Sequence, residues 1–402
     1  MFSDQLPDII RRTEAIGRTL PIHQRGILAL LEKSIRREGL SAEELIELLN
    51  GTVDAKNQEL IKNFSAQHRR PHDRDILLLP PLYFSSICEN RCLYCNFSGN
   101  GRRLSIQEFA EEFDALLNLG YRSIELVSSQ DPEFYMKSAD STIAAQRYSV
   151  DAVAPYFELA KERLSTYGGG MLTSNIPPLD VDSFKRLKAA GLDCYLAWLE
   201  TFHPQQYERL HYDQGPKVNQ AFRLDSFERA VEAGIFHQAG AFLKGLYDWR
   251  HEEAALYLLD RYLKKTNGLG FSVIGTPRLK GQFRKSPLVR THEVSDDEYE
   301  LNIALDRILF DGILWLQTRE SFDLNRRLIG RYGGGVVLTL TSSTAPGGYS
   351  KRSSVRAQFP VYKQSLDQSV SALEDDGFNV VFHWTTQTLL NFHRGSENYH
   401  KT

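Results

Sequence analysis

A chain of 402 residues, 42% apolar and 25% charged, can bury a large core, and one large α/β barrel with a helical appendage fits this length as well as two domains would. The net charge of −3 gives no field strong enough to argue for nucleic acid or a membrane surface, and no apolar run is long enough to span a bilayer. Met1-Phe-Ser-Asp-Gln lacks the basic-then-apolar pattern of a signal peptide; four cysteines, three of them clustered, suit a reducing cytoplasm better than a disulfide scaffold, so a cytoplasmic location is expected.

Residues 1 to about 70 read as helices. Asp8 to Leu20 and Gly26 to Arg37 carry apolar residues at helical spacing, and Ser41 with Glu44 forms a capping box. This part is expected to cover one end of the fold that follows. His68 to Asp75, polar and containing Pro71, reads as a linker.

From residue 76 short apolar runs alternate with helical stretches, the pattern of βαβ units and a parallel sheet. Strands are expected at Ile76 to Ile87, Ser123 to Ser128, Met171 to Asn175, Asp193 to Leu199, Phe236 to Leu243, Phe271 to Ile274, Ile313 to Gln317 and Val336 to Thr341. Helices are expected at Ser105 to Asn118 (opened by a second capping box, Ser105 and Glu108), Val150 to Ser165, Asp180 to Ala190, Glu252 to Lys264 and Asp296 to Phe310. Eight strands in series with intervening helices predict an α/β fold, a (β/α)8 TIM-type barrel with its site at the C-terminal strand ends. After Tyr349 comes a polar stretch to Gln358, then a helix over Ser365 to Asp376 and a strand over Phe378 to His383. The expected organisation is a helical N-terminal extension over 1–75, the barrel over 76–349 and a C-terminal cap over 350–402.

The first strand runs into Cys88, Cys92 and Cys95, spaced C-x3-C-x2-C; the one other cysteine, Cys194, stands alone among apolar residues and reads as a buried small hydrophobe. Three thiolates on one loop can each hold one iron of a cubane cluster and leave the fourth iron open, whereas a ferredoxin-type cluster needs a fourth thiolate. A structural zinc site wants a second ligand pair, which this sequence lacks; a chance cluster of reduced cysteines is the other bland reading. The aromatic Tyr94, just before the last cysteine, could lie against a purine.

This loop resembles the cluster loop of the radical S-adenosylmethionine (radical SAM) enzymes. The resemblance implies a [4Fe-4S] cluster on Cys88, Cys92 and Cys95 whose open iron chelates SAM, reductive cleavage of SAM to a 5′-deoxyadenosyl radical, and an external reductant such as flavodoxin or ferredoxin. The cofactors carry the hard chemistry, and the protein supplies placement and shielding.

Further phrases narrow the resemblance to the aromatic amino acid lyases of that superfamily, nearest to the tyrosine lyases of thiamine biosynthesis, with the hydrogenase-cofactor maturases and the tryptophan lyases as relatives. They are Pro81-Leu-Tyr-Phe-Ser-Ser, Leu199-Glu-Thr-Phe-His, Gly215-Pro-Lys, Phe222-Arg-Leu, Gly245-Leu-Tyr-Asp, Thr276-Pro-Arg-Leu, Thr318-Arg-Glu and Ser342-Ser-Thr-Ala-Pro-Gly-Gly-Tyr349. The resemblance implies that Glu200 and Arg223 contact SAM; a guanidinium fork suits its carboxylate. At the end of the second strand Ser129 and Gln130 stand where the family has a small residue and a glutamate, so Gln130 would accept a hydrogen bond without charge, or Asp131 would supply the charge instead. Arg319 matches the arginine that binds the substrate carboxylate, Tyr83 a tyrosine of the same pocket, and Thr339 a position held by serine, while Arg278 could bind either ligand. The competing readings are rim ion pairs, Arg319 with Glu320 among them, and core packing for Tyr83. His203, His211 and His237 could lie near the mouth, but an exposed or core histidine is the better reading for each. No cysteine follows Cys194, so the second cluster of the hydrogenase maturases is not expected.

The resemblance implies a lyase that breaks the Cα–Cβ bond of an aromatic amino acid, tyrosine first, giving p-cresol and 2-iminoacetate; in thiamine synthesis a thiazole synthase would take up the unstable imine. The alternatives are a radical SAM lyase or rearrangement enzyme acting on tryptophan or another amino acid, and a non-catalytic iron–sulfur scaffold.

Overall fold

The computed structural model describes residues 1–18, 22–70, 72–97, 100–142, 145–212, 215–280, 289, 292–341, 343–350, 357–359 and 361–393. Four helices come first: α1 (Leu6–Thr13), α2 (Gln24–Ile35), α3 (Ala42–Gly51) and α4 (Ala55–Gln67). Strand β1 follows in two halves, Asp75–Leu78 and Pro81–Ser85, then α5 (Ile106–Asn118), β2 (Ser123–Ser128) and a small hairpin of Met136–Lys137 with Tyr148–Ser149. Next come α6 (Ala154–Ser165), β3 (Met171–Asn175), α7 (Val181–Ala189), β4 (Cys194–Glu200), α8 (Pro204–Leu210), α9 (Gln220–Leu224), α10 (Ser226–Glu232) and β5 (His237–Phe242). The chain continues through α11 (Trp249–Asn267), β6 (Val273–Gly275), α12 (Asp296–Leu309), β7 (Ile313–Leu316), α13 (Phe322–Tyr332) and β8 (Val336–Leu338), and ends in α14 (Leu366–Asp375), β9 (Asn379–Val381) and α15 (Thr386–Phe392).

The eight expected strands are the eight barrel strands, all parallel. β1 closes the ring by splitting its pairing. Its lower half pairs with β8 (Ile76 beside Val336), and its upper half pairs with β2 (Tyr83 beside Val127). The break falls at Pro80-Pro81, because a proline has no N–H to give to a ladder; Pro80 still accepts, from the Glu125 N–H at 3.0 Å. Alternation follows the sequence: Ile124 and Leu126 of β2 join the layer under the helices, and Val127 faces inward with Tyr83.

Both expected capping boxes form. Ser41 Oγ accepts from the Glu44 N–H at 3.2 Å, and the Glu44 carboxylate accepts from the Ser41 N–H at 2.8 Å; Ser105 and Glu108 repeat those distances. The first helix stops at Thr13 rather than Leu20, and residues 19 and 20 lie outside the described residues. The N-terminal helices do not cover an end of the barrel as expected. They lie against its flank, α1 and α3 on α11, α2 and α4 on α12.

What closes the bottom is the C-terminal segment. β9 pairs with the lower half of β1, and the Arg122 N–H donates to the Phe382 carbonyl, so the segment wedges between β1 and β2. Trp384 then enters the floor, where its Nε1–H donates to the Leu78 carbonyl at 2.8 Å, and Leu389 and Phe392 of α15 pack against Leu77, Met171 and Leu196. At the other end residues 357–359 and 361–362 lie across the mouth. Gln358 N–H donates to the Thr344 carbonyl at 2.7 Å and Tyr362 N–H to the Thr318 carbonyl at 3.2 Å. The polar stretch at 351–356 and residues 394–402 lie outside the described residues. Among the described residues no helix is long and apolar enough to cross a membrane.

Candidate active site

β1 delivers the cysteines at the mouth. Beyond Ser85 the chain turns through Ile87 into the loop, which backbone hydrogen bonds fasten to its surroundings: Ser86 N–H to the Arg102 carbonyl at 2.9 Å, Glu89 N–H to the Gln130 carbonyl at 3.0 Å, Leu93 N–H to the Leu210 carbonyl at 3.2 Å. Cys88, Cys92 and Cys95 line one cavity together with Asn90, Ser129, Gln130, Glu200, Lys217 and Arg223. Among the described residues no three His, Cys, Asp or Glu side chains gather closely enough to hold a single ion. Three thiols spread around one cavity suit a polynuclear group, one thiol to each metal. Two amides reach the sulfurs, Asn90 Nδ2 to Cys88 Sγ and Gln358 Nε2 to Cys95 Sγ, both at 3.7 Å. Burial pushes the Cys88 and Cys92 thiols upward, so metal charge is what would keep them deprotonated here.

The polar wall of this cavity is built from β4 and the turn after α8. Glu200 sits at φ +68°, in the left-handed region, where β4 slips register against β5 between Trp198 and Glu200. Such a residue costs roughly 1–3 kcal/mol and persists where its surroundings force it. Here the twist aims the carboxylate at Lys217, whose Nζ lies 2.6 Å from Oε1. Burial works to lower the Lys217 pKa, but Glu200 and Cys92 outweigh it and hold the ammonium above its ordinary value. Lys217 is positioned in turn by Asn90, whose Oδ1 accepts the Lys217 N–H at 3.0 Å. Gly215 permits that approach, since a Cβ there would stand 2.5 Å from Asn90 Oδ1.

Arg223 is buried and donates through Nη1 to the Trp198 carbonyl at 2.9 Å; its Nε–H has no hydrogen-bond partner among the described residues. An orphaned guanidinium donor, a carboxylate and an ammonium on one thiol-lined cavity form a set that fits a [4Fe-4S] cluster with zwitterionic SAM. Tyr94 closes the adjoining cavity. Its hydroxyl donates to His211 Nε2 at 2.7 Å, and His211 Nδ1–H donates to the Tyr207 carbonyl at 2.7 Å. Burial holds the His211 pKa well below its usual value, so the neutral ring fixes Tyr94 rather than trading protons.

Three cavities adjoin at Trp198. Arg319 lines two of them, one shared with Cys95 and one with Tyr83 and Thr339, and its guanidinium stacks 3.8 Å over Phe359 of the mouth crossing. Burial lowers its pKa, with Tyr83 the leading opposing influence. Tyr83 OH donates to Gln358 Oε1 at 2.7 Å, so Gln358 links the Tyr83 pocket to Cys95. Ser129 lines the cysteine cavity with its hydroxyl donated to the Ile87 carbonyl, and Gln130 turns its amide nitrogen to the Tyr148 hydroxyl at 3.4 Å. Thr339 is committed on both sides: it donates to the Leu79 carbonyl at 2.9 Å and accepts from Trp315 Nε1–H at 2.8 Å, which holds Trp315 upright in the pocket wall.

Several readings are corrected. Arg278 lines none of these cavities; its fork is spent on both Glu320 oxygens, on Asp296 and on the Val294 carbonyl, so it is a buried structural ion pair. That pairing also takes Glu320 away from the rim bridge considered for Arg319. Asp131 cannot supply charge to a ligand, because Arg103 and Ser85 occupy its carboxylate. His237 begins β5 at the bottom of the barrel, far along the strand from the mouth, where it meets Ser272. His203 stacks on Tyr247 in a separate cavity beside α1. Cys194 is fully buried on the barrel interior, as expected. Lys217, Asn90, Trp198, Gln358 and Glu125 went unnoticed in the sequence. A signal existed for Glu125, a charge at an inward position of an alternating strand, and for Lys217, inside the Gly-Pro-Lys phrase.

Residues 82–258 match the Radical SAM superfamily. The chain is 25% identical over 358 residues to the 2-iminoacetate synthase of Escherichia coli (strain K12), covering 85% of this chain and 86% of that protein. It is 26% identical over 219 residues to the 3-methylornithine synthase of Methanosarcina acetivorans, covering 52% of this chain and 57% of that protein. The FeFe-hydrogenase maturase HydG from Carboxydothermus hydrogenoformans superposes with a TM-score of 0.80 at 27% identity, over 98% of this chain and 87% of the other.

Proposed function

We propose that this chain is a radical SAM enzyme and that it breaks the Cα–Cβ bond of an aromatic amino acid, L-tyrosine, to give p-cresol and 2-iminoacetate. The observation that carries the proposal is Arg319: a half-buried guanidinium at the head of a pocket walled by Trp198 and Trp315, adjoining the cavity of the three cysteines. A carboxylate taken into a barrel needs such a partner, and the tryptophan walls offer an aromatic ring its surface. When bound, the cluster and SAM supply one-electron chemistry that ends in removal of a hydrogen from the substrate.

The chain's own residues do the rest. Cys88, Cys92 and Cys95 hold the cluster. Glu200 with Lys217, and Arg223 through its Nε–H, receive the charged ends of SAM. Arg319 takes the amino acid carboxylate beside Tyr83, so that one substrate hydrogen stands within reach, the positioning on which radical selectivity rests. Residues 357–359 and 361–362 keep water from the mouth. A thiazole synthase would take up the imine in a thiamine pathway, and a flavodoxin or ferredoxin would supply electrons.

The test is anaerobic incubation of the cluster-loaded enzyme with SAM, dithionite and tyrosine, followed by mass spectrometry. Deoxyadenosine with p-cresol is expected. Deoxyadenosine with an indole product from tryptophan would move the assignment to a tryptophan lyase or rearrangement enzyme. No deoxyadenosine above a Cys92→Ala control would overturn the enzymatic reading in favour of a scaffold.

A further inference from the structure

Glu125 takes no part in the chemistry above. It lies on β2 within Ser-Ile-Glu-Leu-Val-Ser, pointing inward between Pro81 and Thr173 of the neighbouring strands, and only 4% of it is exposed. Burial pushes its pKa up to about 8; the Asn175 side chain opposes that only in part, and no cation among the described residues is set against it. Two other buried carboxyls with raised pKa values have structural work. Glu252 accepts the Phe202 N–H at 2.6 Å, and Asp260 accepts the Phe271 N–H at 2.7 Å. Among the described residues Glu125 holds no backbone group. It opens instead into the pocket that Tyr83, Trp198, Trp315 and Arg319 line.

The pocket therefore has two polar ends. Arg319 stands three residues beyond the end of β7, and Glu125 three residues short of the end of β2, so the carboxyl is the deeper of the two. Tyr83 lines the same pocket and feels the fields of both. Trp198 and Trp315, with centroids 5.9 Å apart, supply the apolar wall. An aromatic amino acid whose carboxylate rests on Arg319 near the mouth would direct its ring down this wall, toward Glu125.

We propose that Glu125 is a specificity-determining residue that accepts a hydrogen bond from a donor at the far end of the substrate ring, a phenol O–H or an indole N–H. The inference rests on the amino acid lyase reading. A buried acceptor tuned to such a donor rejects an analogue that lacks it, because the acceptor is then left unpaired. An α-ammonium would not reach it, since that group stays beside the carboxylate at Arg319.

The test is equilibrium binding to the cluster-loaded, SAM-bound enzyme without reductant, so that no turnover occurs. The ligands are L-tyrosine against its O-methyl ether and L-phenylalanine, and L-tryptophan against its 1-methyl derivative. In the wild type the donor-bearing member of one set should bind at least about tenfold tighter than its partners. Glu125→Ala should bring that set within about threefold, and the isosteric Glu125→Gln, which can still accept, should keep part of the preference. Whichever set shows the preference tells phenol from indole. An unchanged preference in folded Glu125→Ala or Glu125→Gln overturns the inference alone. So does equal weakening of every ligand, which would assign Glu125 to the α-ammonium, and so does a wild type that holds the blocked ligands as tightly as the free ones. A wild type that binds no aromatic amino acid, yet still makes deoxyadenosine with another substrate, overturns the lyase reading and this inference together.

Discussion

Arg223 divides its fork: Nη1 holds the Trp198 carbonyl while the buried Nε–H is left for a ligand. Lysine cannot do both. Arg223→Lys is expected to raise the KM for SAM by about 10-fold, within the roughly 1–3 kcal/mol of an unmet buried hydrogen bond, with a smaller change in kcat. Deoxyadenosine formation against SAM concentration measures the split, and an unchanged KM would show that the Nε–H meets no ligand. At this scale the three cysteines were legible because a metal motif is local in the chain. Glu200 and Arg223 were legible only by resemblance. Gln358 was not legible: its partners Tyr83 and Cys95 lie 275 and 263 residues away, and nothing local to Gln358 marks it.

Among the elements, β6 shows how a missing side chain shapes the site. A Cβ on Gly275 would stand 2.7 Å from the Trp198 ring and 2.9 Å from Ala241 Cβ. Overpacking of this kind costs roughly 1–3 kcal/mol, and Trp198 has the cleft to move into. Gly275→Ala should therefore raise the KM for the amino acid more than the KM for SAM; equal changes would place the strain elsewhere. The floor is tested by Trp384→Ala. Trp384 is 1% exposed and bonded to Leu78, so its loss should cost about 3–5 kcal/mol in denaturant unfolding. The strand series and both capping boxes were readable because periodicity and caps are written within a dozen residues. The strand expected over 378–383 appears as β9, but its partners could not be foreseen. Nor could the course of the tail, which serves both mouth and floor.

For the whole molecule, buried ionisable groups set the pH response. Glu125 and Glu252 are pushed up to about 8 and Asp260 to about 7, all by burial. The unfolded chain releases these protons in the ordinary carboxylate range, while the folded protein keeps them to about 7 or 8. Between those values the folded state binds more protons, so stability falls as pH rises and levels off above about 8. Buried His237 and His393, lowered to about 4, act with the opposite sign, but only between about 4 and the usual histidine value. From about pH 6.5 to 8 these carboxyls still titrate while the two histidines no longer do. The anaerobic melting temperature should fall across that window, and Glu252→Gln, remote from the cysteines, should flatten the fall; a flat wild-type profile would count against the buried acids. The segment that seals both ends also sets a clock. A ribosome adding about 5–20 residues per second needs on the order of 15–60 s to make the 306 residues between Leu78 and its partner Trp384. Through that interval the newborn chain presents its three thiols with neither floor nor strap, open to delivered iron and sulfide and equally open to oxygen.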